Sequence, residues 1–116
     1  MEYTIRGNVY DGVGLSREVQ QFISDKKKSV LVSLAIEEMV GYILEINDEL
    51  DWIDIIIRDN DEFSVISIKH SGIGYNPKNK DLNSDNIKML LGISSSIDYS
   101  QILGLNNTAI TIEKKL

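Results

Sequence analysis

A glutamate and a histidine mark the two places where this chain could do chemistry. Glu38 lies within Ile36-Glu37-Glu38-Met39-Val40-Gly41-Tyr42, and His70 within Ile68-Lys69-His70-Ser71-Gly72-Ile73-Gly74-Tyr75-Asn76-Pro77. A carboxylate at the edge of an apolar helix face, at the rim of a pocket, is the kind of group that serves as a general base. The structural alternative is a boundary glutamate that snorkels to water or pairs with a lysine. His70 has no carboxylate or cysteine at ligand spacing, so no metal site is expected around it. Gly72 and Gly74 directly after it let backbone approach a ligand closely, or simply make a turn beyond a histidine that closes a strand. A Gly-x-Gly with no third glycine, no preceding βαβ unit and no following helix is not a dinucleotide fingerprint. Asp59-Asn60-Asp61-Glu62 lacks the glycine and terminal bidentate glutamate of a calcium loop, which leaves a hairpin turn. Ser94-Ser95-Ser96 has no base positioned by sequence and falls at a helix C-terminus.

Several elements must hold these groups. Tyr3 to Asn8 reads as a short edge strand, followed by a turn at Asp11-Gly12-Val13-Gly14. Ser16 caps a short helix to about Ser24, which Asp25-Lys26-Lys27-Lys28 breaks. A longer helix covers about Ser29 to Ile46 and ends at Asn47-Asp48. At 100° per residue, Val32, Ile36, Met39 and Ile43 form its apolar stripe, Ser33, Glu37 and Gly41 lie opposite, and Glu38 falls at the boundary with Tyr42 one turn on. Trp52 to Arg58 and Phe63 to His70 are two strands of a hairpin. Alternation puts Ile53, Ile55 and Ile57 on one face of the first, and Ile66, Ile68 and His70 on one face of the second. Residues 71–84 form a loop, a helix runs from about Ser84 to Ile97, and strands near Tyr99–Leu103 and Thr108–Glu113 flank a turn at Gly104-Leu105-Asn106. The order β-α-α-β-β-loop-α-β-β implies an α+β two-layer sandwich, with helices gathered on one face of a mostly antiparallel sheet.

Composition sets the outer limits. With 116 residues, the chain is long enough for one domain with a real core, residues 1–116 throughout. Its 42% hydrophobic and 26% charged residues are ordinary for a globular protein and argue against disorder. A formal charge of −6 disfavours nucleic acid or an anionic membrane as partner, and Lys26-Lys27-Lys28, the one basic run, reads as solvated surface. The absence of cysteine removes disulfides, zinc ribbons and thiol nucleophiles and suits the cytoplasm. No stretch approaches a membrane span, and no signal-peptide segment follows Met1. The chain could still be one part of a longer protein.

Taken together, the Glu38 helix, the His70 strand end and the late helix at Asn86-Ile87-Lys88-Met89 resemble the GHKL (Bergerat-fold) ATPases over roughly residues 3–113. The nearest resemblance is to the anti-sigma-factor-type serine kinase branch. In that family a helix carries Glu-x-x-x-Asn, where the glutamate activates a nucleophile and the asparagine coordinates Mg²⁺. Glu38 matches the glutamate as catalytic residue, while Tyr42 stands at the asparagine position. A phenol is a poor Mg²⁺ ligand, since the hard cation takes carboxylate and amide oxygens and water. The family's next motif, Asp-x-Gly-x-Gly, reads His70-Ser71-Gly72-Ile73-Gly74 here. Both glycines match, and the aspartate that would bond adenine is His70, which can accept one such bond but supplies no fixed negative charge. A third, glycine-containing turn that helps hold phosphates at a helix N-terminus corresponds to Asn86, close to Met89.

The resemblance therefore implies an ATP-binding scaffold whose ligand positions Tyr42, His70, Gly72, Gly74, Asn86 and Met89 have drifted, with ATP and Mg²⁺ binding weak or lost. A degenerate regulatory domain acting by protein–protein interaction is the leading expectation. Its partner would be another signalling domain, the rest of a longer chain or a second copy in a homodimer. An active ATP-dependent serine/threonine kinase is the alternative, and a pocket remodelled for another ligand is a third.

Overall fold

The computed structural model describes residues 1–7, 9–48, 50–74 and 84–114. Among these residues five strands and three helices follow in the order β1 (Glu2–Arg6), α1 (Gly12–Phe22), α2 (Lys26–Ile46), β2 (Trp52–Asp59), β3 (Phe63–His70), α3 (Asp85–Ile93), β4 (Ser96–Ile102) and β5 (Leu105–Glu113). The strands form one sheet in the order β1-β2-β3-β5-β4, every neighbouring pair antiparallel. This is the α+β two-layer arrangement the element order implies.

Isoleucine at alternate positions defines the inner face of the sheet. Ile53, Ile55 and Ile57 of β2 pair in register with His70, Ile68 and Ile66 of β3, and all six are buried. On β5, Asn106, Thr108, Ile110 and Ile112 continue the face and are buried too. The outward residues of the same strands, among them Trp52, Ile56, Val65 and Ala109, are only half-buried. Such one-sided burial is the pattern of an antiparallel sheet covered on one face. α2 supplies the cover, packing against β3 and β5 with Val32, Ile36, Met39 and Ile43 buried, while α1 and α3 pack against α2.

Local chemistry moves several boundaries from their expected places. The Gly12-Val13-Gly14 segment is the first turn of α1 and not a loop, because the Asp11 carboxylate accepts a hydrogen bond from Gly14 N at 2.9 Å and caps the helix. Asp25 does the same for α2 through Lys28 N at 2.9 Å, so the lysines begin that helix instead of breaking its predecessor. Lys28 also departs from the solvated run. It is buried, with Nζ 2.7 Å from Asp59 Oδ1 and donating to Asn60 O at 2.6 Å, which ties the start of α2 to the β2–β3 hairpin.

At the other end of the chain, α3 stops at Ile93. The Ser94 hydroxyl turns back to donate to Leu90 O at 2.6 Å, and Ser96 is already in β4. The β4–β5 turn is centred on Leu103-Gly104, both at positive φ (52° and 79°), one residue before the expected place. Among the described residues no helix is long and apolar enough to cross a membrane. The expected strand end at Asn8 and most of the 71–84 loop lie outside the described residues.

Candidate functional site

The residues marked by sequence come from three places: α2 (Glu38, Tyr42), the end of β3 with its turn (His70, Gly72, Gly74) and α3 (Asn86, Met89). Glu38 is half-buried at the edge of the apolar stripe, as helical spacing requires. Its carboxylate is engaged. Asn86 Nδ2 donates to Glu38 Oε2 at 2.7 Å, a hydrogen bond to a charged acceptor that joins α2 to α3. Gly41 lies beside this bond, and a Cβ there would stand 3.7 Å from Asn86 Nδ2, at ordinary contact distance. Tyr42 is buried among the core residues, 9% exposed. Met89 sits off the face that buries Ile87 and Leu90, and is 47% exposed.

His70 faces inward, as strand alternation predicts, and is fully buried. Its Nδ1 lies 2.7 Å from Ser71 O, and a carbonyl only accepts, so Nδ1 carries the proton. Burial lowers the imidazole pKa below its ordinary value, and the bond to Ser71 opposes this only in part. The ring is therefore neutral near pH 7, with a bare lone pair on Nε2. That nitrogen is buried without a partner among the described residues, and so is the Thr108 hydroxyl on the neighbouring strand.

The turn after His70 is held by side chains that sequence inspection did not single out as site residues. Asn106 Nδ2 donates to His70 O at 3.3 Å and Gly72 O at 3.1 Å, while its Oδ1 accepts from the Tyr99 hydroxyl at 2.6 Å. Burial raises the Tyr99 pKa, so the phenol stays protonated and donating. From the other side, Asn47 Nδ2 donates to Ile43 O at 3.0 Å and Ile73 O at 3.2 Å, and Asn47 Oδ1 accepts from Ile73 N at 2.8 Å. Two asparagines thus pair with four backbone groups at this turn: His70 O, Gly72 O, Ile73 N and Ile73 O.

These clamps also explain both glycines. Gly72 has φ +86°, and a Cβ there would meet Asn47 Oδ1 at 2.5 Å. A Cβ at Gly74 would collide with Asn106 Oδ1 and the Tyr99 hydroxyl. The close approach that a Gly-x-Gly allows is made by the chain's own side chains.

One signal for this cluster was present in the sequence. Asn106 and Thr108 stand at core-facing positions of a strand that otherwise places Ile110 and Ile112 there, and asparagine is poorly suited to strands. Asn47 was legible as a helix terminator but not as a clamp on a turn 26 residues away. Among the described residues no three His, Cys, Asp or Glu side chains converge as a metal site would require. No protein-family model matches the chain, and no curated protein matches it.

Proposed function

We propose that the chain is a catalytically degenerate regulatory domain of the GHKL type, acting through protein–protein contact and binding nucleotide weakly or not at all. The observation that carries this is the filling of the turn: Asn47, Asn106 and Tyr99 occupy the space that Gly72 and Gly74 leave open. The remaining positions agree with it. Glu38, the one residue suited to activate a nucleophile, is bonded to Asn86. Tyr42 presents a buried phenol where Mg²⁺ would need an amide oxygen. His70 offers a single lone pair and no negative charge. Mg-ATP does not fit these residues.

The competing reading, an ATP-dependent serine/threonine kinase of the anti-sigma-factor type, rests on Glu38, Gly72 and Gly74 matching the motif. Incubation with γ-labelled ATP and serine-containing signalling proteins separates the two. The degenerate domain transfers no label to them or to itself. Transfer that disappears in Glu38→Gln would establish the kinase instead.

A further inference from the structure

Between α1 and α2 lies an open cleft of about 490 Å³ that includes none of the residues discussed above as site positions. Helical periodicity builds its walls. Val13, Ser16, Arg17 and Gln20 recur at the spacing of one helix face on α1, and Glu37 lines the opposite side from α2. Tyr10 borders the cleft, its ring resting on Gly12, where an added Cβ would come within 3.3 Å of it. Burial first, and then the charge of Glu37, raise the Tyr10 pKa, so its phenol remains a donor.

A smaller recess of about 30 Å³ adjoins the cleft, sharing Tyr10, Gly12, Ser16 and Glu37 with it and reaching in to Leu15, Val19, Ser33 and Ile36. Such a space holds about one water molecule. Ser33 precedes Glu37 by one helical turn, and its hydroxyl is buried without a partner among the described residues. A helical serine turns its hydroxyl either to solvent or to the carbonyl one turn back. Ser33 does neither, and the recess it lines is the place where a partner would sit. Arg17 and Glu37 bring opposite charges to the same cleft, and neither forms an ion pair among the described residues.

We propose that this cleft binds a small zwitterion of the α-amino-acid class, its ammonium toward Glu37 and Ser33 and its carboxylate toward Arg17 and the Tyr10 hydroxyl. Glu37 offers carboxylate oxygens and Ser33 a hydroxyl lone pair, acceptors of the kind an ammonium seeks, and Arg17 offers the planar fork that suits a carboxylate. Val13, 71% exposed, gives an apolar side chain something to rest on. The site owes nothing to nucleotide binding and stands or falls separately from it.

Amide-detected NMR titration of the whole chain with leucine, leucinamide and 4-methylpentanoate provides the test. Leucine is expected to shift residues 13–20 and 33–37 saturably, with a Kd at least about tenfold below those of the two singly charged analogues. Glu37→Gln and Arg17→Gln, both at exposed positions, each weaken leucine binding without changing Tm. Ser33→Ala weakens it while leaving Tm unchanged or raised, because an unpaired buried hydroxyl is removed. No saturable shift with leucine up to about 20 mM, far beyond a millimolar Kd, would overturn the proposal. Equal binding of leucinamide, or binding indifferent to Glu37→Gln, would overturn it as well.

Discussion

A single imidazole gives this protein a definite acid response. His70 is the only histidine, is buried, and has its pKa lowered chiefly by desolvation. In the unfolded chain it titrates near pH 6.5, so below that pH the unfolded state binds more protons than the native one. Stability is then full above about pH 6.5 and falls as pH drops through that value toward the native pKa, by at most about 1.4 kcal/mol per pH unit. Urea unfolding across this range reads the slope, and His70→Phe should flatten it; a wild-type curve already flat between those limits would contradict the burial assigned to the ring. Gly74 makes an equally sharp prediction. Gly74→Ala drives a methyl into Asn106 and Tyr99 and should cost about 1–3 kcal/mol, whereas Gly92→Ala, with nothing within 4 Å, should not destabilise through any clash. Similar losses at the two positions would show that the space over Gly74 is not filled.

Elements were legible where periodicity is enforced by burial on one face. The alternation of Ile53, Ile55 and Ile57, and the stripe Val32-Ile36-Met39-Ile43, fix strand and helix because any other period would expose them. Boundaries were less legible, since they depend on single side chains. Asp11 and Asp25 each convert an apparent turn into a helix start through one bond to a backbone N–H. The inward direction of His70 and the edge position of Glu38 also followed from local spacing. Their partners did not, because Asn86 is 48 residues from Glu38 and Asn106 is 36 from His70. At this scale the β4–β5 turn is the place to intervene. Leu103 holds φ 52°, is 98% exposed, and precedes Gly104 at φ 79°, a geometry that favours Asn-Gly. Leu103→Asn should therefore stabilise the protein by about 1 kcal/mol, seen as a higher Tm; an unchanged or lower Tm would mean that the turn gains nothing from asparagine.

For the molecule as a whole, the proposed function requires that the end of the sheet at His70 be closed from within. The sheet end that would receive a nucleotide is laced by Asn47, Tyr99 and Asn106, and the basic run that could have met phosphate loses Lys28 to Asp59. A net charge of −6 further disfavours a polyanionic ligand at long range. Isothermal titration of the purified chain with ATP, with and without Mg²⁺, tests this most directly. A self-filled site gives no saturable heat up to millimolar ATP in either condition. Micromolar binding that requires Mg²⁺ would contradict it, because Tyr42, His70 and the clamped glycines would then have to open to admit the nucleotide.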